Sequence, residues 1–317
     1  MKNILKLLSI LTVVLTMPFS FGARKIDEQK IRNACPAQAA APIQKQRTIL
    51  IYSTTKGWNH VEGIASAKIA FKNMGDKLGI WKTVISDDLN NFTKENLKKF
   101  DCVVLNNTTG MCFGESPEIL KKLPKAEQEK IVKRSDEICQ NLIEYVRKGG
   151  SILAVHAGVD CYNREGFIKL EFTDMLGGEF FSHPWCIGNV PTTFEIDDTQ
   201  SPITKGIWAE NNFKIHDEIY MLGNSYNRNT CRVLMRINPK KSPITTKQGE
   251  RMQHLIRQDG DYATVYIKSF GKGRVAYSTV GHQEDNYYDT KHQELYMRLL
   301  QFCCGDLQAD TTPIKLK

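Results

Sequence analysis

Four of the seven histidines, His60, His156, His183 and His282, stand in strand-end or loop contexts beside small or polar residues. Imidazoles change charge near neutral pH, so a group of them can pass protons as acid and base. A fifth, His216, precedes the paired carboxylates Asp217-Glu218. Neighbouring strand residues point to opposite faces, so only one of that pair is expected to face a site. The run Gly281-His282-Gln283-Glu284-Asp285 offers a second imidazole with a carboxylate close behind it. Asn107 and Thr108 sit in a polar strand-end loop, Asp160 follows His156, and Trp58, Trp185 and Tyr220 supply flat apolar surfaces nearby in sequence. Taken singly, a strand-end histidine is more often a hydrogen-bonded structural residue, and an aromatic side chain more often packs in a core. Clustering is what would turn these residues into a site.

The elements that must position them alternate between strand and helix. Lys148-Gly149-Gly150 ends a helix, the glycine pair supplying a left-handed cap, and residues 151–155 follow as a strand buried on both faces. His156 stands at the carboxyl end of that strand, where an open α/β sheet presents groups to a ligand. Earlier, residues 48–52 form a first strand, 53–60 its loop, and 61–78 a helix by apolar spacing, ending at Gly79. A strand at 81–85, a short helix at 93–100 capped by Thr93 and a strand at 102–105 lead to the polar loop 106–110. The Lys/Glu-rich residues 111–135 read as a surface excursion before a helix at 135–147. This alternation predicts a parallel, doubly wound sheet with right-handed crossovers. In such a sheet the ends of the first, third and fourth strands converge, so His60, Asn107 and His156 are expected at one crevice. Beyond a helix at 167–176, residues 180–185 read either as a stretch that offers His183 to the site beside an aromatic neighbour or, equally, as an apolar loop lid with a surface histidine, and short strands at 190–196, 218–222, 233–237, 262–268 and 273–279 follow, several of them antiparallel. A helix at 291–303 closes the domain.

With 317 residues, 41% hydrophobic and 25% charged, the chain can bury a sizeable core. Residues 1–23 carry Lys2 and Lys6, an apolar run and small residues at its exit, the pattern of a secretory signal peptide. Export to a periplasm or beyond is therefore expected, and the run is too short for a stable membrane anchor. Residues 24–46 read as a linker, 47–305 as one domain and 306–317 as a polar tail. The net charge of +8 comes from lysines spread along the chain, and its one cluster, residues 121–134, is interrupted by acidic residues and has no interleaved aromatics, which suits a solvated helix rather than a nucleic-acid face. Nine cysteines leave at least one outside any pairing within the chain. Cys112, Cys161 and Cys186 fall in expected loops, and one disulfide among them would suit an oxidising compartment. No Cys-x-x-Cys pair, Gly-x-Ser-x-Gly elbow or phosphate-cradling glycine loop is present, which argues against a zinc ribbon, a serine nucleophile and a nucleotide.

An ordered set of motifs carries a family resemblance: Thr55-Lys56-Gly57-Trp58-Asn59-His60, Leu105-Asn106-Asn107-Thr108-Thr109-Gly110, Tyr145-Val146-Arg147-Lys148-Gly149-Gly150 and Val155-His156-Ala157. Leu176-Gly177-Gly178-Glu179-Phe180 with His183-Pro184, Asp217-Glu218-Ile219-Tyr220, Gly271-Lys272-Gly273-Arg274-Val275 and Gly281-His282 continue it. In this order they resemble the ThuA-like (trehalose utilisation) family of the class I glutamine amidotransferase-like superfamily. The resemblance implies an α/β, flavodoxin-like, doubly wound and mostly parallel sheet with helices on both faces and additional antiparallel strands in the C-terminal half. Glutamine amidotransferases place a nucleophilic cysteine at the elbow where this chain has His156, and Cys161 lies beyond the turn, so glutaminase activity is not expected.

The resemblance also implies carbohydrate metabolism. Proton transfer beside the carbonyl of a disaccharide or keto-sugar suits the residues, as a sugar isomerase or hydrolase would use them. His156 and His282 are then the acid and base, Glu218 or Glu284 the orienting carboxylate, and His60 and His183 the substrate or oxyanion contacts. Trp58, Asn107, Thr108, Asp160, Trp185 and Tyr220 would line the substrate. A divalent metal held by several of the histidines and a carboxylate is the variant, and would make the protein a metal-dependent glycoside hydrolase. The non-catalytic alternative is a periplasmic sugar-binding or scaffold protein. The expected partner is a small saccharide, with no nucleic acid, and a homo-oligomer is compatible with the composition.

Overall fold

Strands made of consecutive apolar residues need cover on both faces, and that requirement sets the layering here. The computed structural model describes residues 25–163 and 167–316. Along the chain run α1 (Glu28–Asn33), β1 (Thr48–Tyr52), α2 (Val61–Leu78), β2 (Lys82–Ile85), α3 (Lys94–Leu97), β3 (Cys102–Asn106), β4 (Thr109–Gly110), α4 (Pro117–Leu120) and α5 (Lys125–Arg147). There follow β5 (Ser151–Val155), β6 (Asp160–Cys161), α6 (Leu170–Leu176), β7 (Phe180–Trp185), β8 (Thr192–Ile196), β9 (Asn212–Ile215) and β10 (Ile219–Leu222). The last elements are β11 (Arg232–Ile237), α7 (Lys247–Arg251), β12 (Ala263–Phe270), β13 (Gly273–Ser278) and α8 (Thr290–Cys304).

One large sheet has the order β2-β1-β3-β5-β13-β12-β11-β8-β9. The strands from β2 to β13 are parallel, and from β13 onward each neighbour is antiparallel. Side chains alternate across it: Ile49, Ile51, Val104, Leu153 and Val155 enter one core, while Leu50, Tyr52, Leu105, Ile152 and Ala154 enter the other. Phe71 and Met74 of α2, with Leu299 and Leu300 of α8, close the first face; Leu142 and Val146 of α5, with Phe172 of α6, close the second. The α/β doubly wound architecture with antiparallel strands in its C-terminal half is thus the one expected.

Several segments differ from their sequence reading. Residues 24–46, read as a linker, contain α1 and pack on the domain, with Ile31 and Cys35 buried. Gln301 of α8 explains the docking: its carboxamide oxygen accepts the amides of Ala40 and Ala41 (2.9 and 3.1 Å), and its amide group donates to the Ala41 carbonyl (2.8 Å). The polar tail is likewise tied down, since Asp306 receives the Arg47 guanidinium at 2.6 Å and Asp310 receives Arg232 at 2.8 Å. The surface excursion 111–135 is already helical from Lys125, because exposed Lys and Glu favour helix without an apolar stripe. Residues 180–185, read as a loop lid, form β7, which pairs only with β10 and so tolerates Pro184 at a sheet edge. The disulfide expected among Cys112, Cys161 and Cys186 is not formed: all are thiols, Cys112 and Cys161 lie 3.1 Å apart, and Cys186 contacts Thr246 instead. Residues 1–23, expected from sequence to be a signal peptide, lie outside the described residues, among which no helix is long and apolar enough to cross a membrane.

Removing one partner of a buried ion pair strands the other's charge, at about 3 kcal/mol or more. Asp306→Ala should therefore lower the urea-unfolding free energy by about 3 kcal/mol; an unchanged midpoint would mean that the tail does not dock through Arg47.

Candidate active site

Parallel strands deliver their carboxyl ends to one edge of a sheet, and here four adjacent strands do so with polar residues. The loop after β1 ends in His60, which immediately precedes α2. β3 runs into Asn107, β5 into His156, and β13 into residues 279–282. Asn107 and His156 take left-handed backbone angles, φ 54° and 46°, a conformation that costs a non-glycine residue about 1 kcal/mol or more. A hydrogen bond compensates at His156: Nδ1 donates to the Thr279 carbonyl at 2.7 Å. That bond puts a proton on Nδ1, so in the neutral tautomer the lone pair is on Nε2.

The loop bearing His282 is clamped from two sides. Asp217 accepts the backbone amides of Gly281 (2.6 Å), His282 (3.2 Å) and Gln283 (3.1 Å). On the other side the first turn of α2 rides so close that a Cβ on Gly63 would lie 2.2 Å from the Gly281 carbonyl oxygen, so only glycine fits. Since Asp217 turns toward this loop, the adjacent Glu218 turns toward the histidines.

Around Glu218 the imidazoles converge. The ring centres of His60, His156 and His282 are 4.9, 4.9 and 5.2 Å apart, with planes crossing at 78°, 89° and 87°. Glu218 Oε1 is 3.7 Å from His156 Nε2 and 4.0 Å from His282 Nε2, while Oε2 is 3.4 Å from His183 Nδ1. His183 comes from β7, stacks on Phe180 at 5.7 Å, and lies near Tyr220, whose hydroxyl meets His60 Nε2 at 3.3 Å. His60 and His156 are fully buried, whereas the side chains of His183 and His282 are 23% and 19% exposed. One buried ring nitrogen on each of the four histidines lacks a hydrogen-bond partner.

The electrostatics follow from crowding in a dry place. Burial, then the neighbouring imidazoles, pushes His60 far below the ordinary histidine range, and the same causes take His282 down to about 4. Burial raises the Glu218 carboxyl, but the facing imidazoles outweigh it and hold the group below its usual range. Burial lifts Asp217 to about 7 against its three amide donors. The site thus sets a carboxylate beside two imidazoles, those of His60 and His282, that burial holds toward their neutral form.

Of the residues singled out in the sequence, His60, His156, His183, His282, Glu218 and Tyr220 come together. Asn107 stands at their edge, donating to the Gly281 carbonyl at 3.4 Å. Thr108 accepts from the Cys161 thiol and Asp160 from the Asn163 amide, so both tie loops together. Glu284 is buried in the turn after His282 and is not among the grouped donor atoms. Trp58 is exposed on the loop before His60, and Trp185 is a core residue, its indole donating to the Ser242 carbonyl. Sequence reasoning missed Phe180, which flanks Tyr220 at 4.3 Å, and the Thr279 carbonyl, which as a backbone group leaves no side-chain signature. A separate hollow of about 570 Å³ lies at the amino ends of the parallel strands, lined by Arg47, Asp101 and Arg274 among others but by no histidine.

A family model for ThuA, described as trehalose utilisation, matches residues 48–303. No curated protein matches the chain. Among solved structures, a ThuA-like protein from Bacteroides uniformis is similar with a TM-score of 0.61 and 21% identity, covering 83% of this chain and 94% of that one. A ThuA-like protein from Parabacteroides merdae is similar with a TM-score of 0.53 and 12% identity, covering 84% and 93%. At these identities the structural likeness speaks for the fold.

The Asp217 clamp can be tested directly. Its loss leaves buried amides unsatisfied at roughly 1–3 kcal/mol each, so Asp217→Ala should speed hydrogen exchange at Gly281 and Gln283 by about 100-fold. Unchanged exchange at those amides would show that the loop is held by other means.

Proposed function

The chain belongs to the ThuA (trehalose utilisation) family, and on that footing we propose that its histidine crevice processes a saccharide, a disaccharide or its keto derivative, by moving a proton at the carbon beside a carbonyl. The observation that carries the reading is the gathering of four imidazoles around one buried carboxylate at the strand ends. Such a reaction breaks the C–H bond of a carbon that bears a hydroxyl, sends the electron pair toward the adjacent carbonyl oxygen as an enediolate, passes the hydroxyl proton to that oxygen, and returns the carbon-bound proton to the former carbonyl carbon, where the new C–H bond forms as the other oxygen becomes the carbonyl. It needs one mobile proton carrier and fixed groups around the developing oxyanion.

His183 is the proton carrier in this reading. What supports it is position: its ring reaches the mouth, and Glu218 Oε2 at 3.4 Å can orient the imidazole and stabilise its charged form. His156, fully buried with Nδ1 committed to Thr279, suits a fixed contact better than a shuttle. His282 keeps partial access and stands on the other side of Glu218. Phe180 and Tyr220 offer an aromatic wall for the apolar face of a sugar ring, and exposed Trp58 could meet a second ring. Export guided by residues 1–23 is part of the same proposal, on the charged, apolar and small-residue pattern of that segment.

Solvent exchange tests this. In heavy water with a keto-disaccharide, NMR should show deuterium entering beside the carbonyl, and His183→Ala should slow it by about 10²–10⁴-fold while circular dichroism stays unchanged. Measurable sugar binding with neither exchange nor new product would replace the reading with that of a binding protein.

A further inference from the structure

We propose that His60, His156 and His282, completed by Glu218, form a binding site for one divalent transition-metal ion. The site stands on its own geometry; what the ion does there rests on the saccharide reading above.

The first observation is the tripod. A metal sits 2.0–2.1 Å from an imidazole nitrogen and hence about 3.2 Å from the ring centre, so three rings sharing one ion at angles between octahedral and tetrahedral have centres about 4.5–5.2 Å apart. The three separations here, 4.9, 4.9 and 5.2 Å, fall within that interval, with ring planes close to mutually perpendicular. Aromatic rings packed edge to face adopt similar distances, so spacing alone does not decide.

The second observation does. Packing does not explain buried ring nitrogens without hydrogen-bond partners, and His60 Nδ1, His156 Nε2 and His282 Nδ1 are all of that kind. The opposite nitrogen is engaged on two of the rings, His156 Nδ1 with the Thr279 carbonyl and His60 Nε2 with the Tyr220 hydroxyl, as metal-bound histidines are usually oriented. One donor atom from each of His60, His156, Glu218 and His282 lies within 4.8 Å of every other. No CxxC or HExxH spacing announces the set, because its members come from four separate strand ends.

Three nitrogens and one carboxylate oxygen suit Zn²⁺, Ni²⁺, Co²⁺, Fe²⁺ or Mn²⁺ rather than Ca²⁺ or a thiolate-seeking ion. Four protein donors leave room on a five- or six-coordinate ion for substrate oxygens, and a hydroxy ketone offers a carbonyl and an adjacent hydroxyl as a pair. The ion would then stabilise the enediolate oxygen. Glu218 joins the two halves of the site, Oε1 toward the tripod and Oε2 toward His183, which stays outside the tripod to carry the proton.

The test uses the protein stripped with a chelator and titrated with Co²⁺ alone. Wild type should bind one Co²⁺ per chain with a visible spectrum of nitrogen ligation. His60→Ala and His282→Ala should weaken binding by about 100-fold or more, and His183→Ala should leave it intact. Should a variant fail to fold, Cu²⁺ loaded into wild type should show imidazole nitrogen couplings by electron paramagnetic resonance. Substoichiometric binding by wild type, or binding indifferent to His60 and His282, would overturn the site. The two proposals fail separately: a metal-loaded protein that exchanges no substrate proton sinks the saccharide reading, and full exchange by the metal-free protein removes the ion from the chemistry.

Discussion

The crevice depends on one hydrogen bond, from His156 Nδ1 to the Thr279 carbonyl. It exists because β5 and β13 lie side by side in register, Val155 opposite Ser278, so the next residue on each strand emerges beside the other. The bond offsets the left-handed backbone at His156, fixes its tautomer and aims Nε2 at Glu218. Shift the register by one residue and the ring would meet the wrong face.

Such a site opposes folding. Four buried nitrogens without partners each cost roughly 1–3 kcal/mol, and crowded imidazoles resist protonation. The scaffold offsets this by leaving those side chains little freedom: α2 presses on Gly281 through Gly63, Asp217 holds three successive amides, and the strands beneath are buried on both faces. Local disagreement between sequence and stability is concentrated at the proposed site.

How much of this was legible follows from what kind of signal each part carries. The β1 to β5 half could be read because apolar runs and helical spacing alternate there, and the convergence of His60, Asn107 and His156 followed from the winding of the sheet. Asp217 and Glu218 face opposite ways as expected, although both precede β10 and the alternation of a strand is not what turns them. Residues 24–46 could not be read, since their docking runs through one glutamine side chain to backbone amides and leaves no apolar period. β7 was hidden by Pro184, and Trp185 was placed near the substrate although its indole serves the core. The tripod was only partly legible: its members could be named, but their mutual angles come from three loops whose paths no short motif encodes.

The order of the sheet also sets a schedule. β13, which leads into Thr279 and His282, is the last strand among the described residues, yet it lies between β5 and β12 in the middle of the sheet. Gln301 and Asp306 then fasten residues 40–47 from the far end of the sequence. Without β13 both β5 and β12 keep an unpaired edge, so the sheet is complete only once nearly the whole chain has been made. Folding of this kind is slow, because distant segments must meet before their contacts stabilise anything. Until then the apolar strands stay exposed to one another and to other chains, which is where aggregation competes with folding.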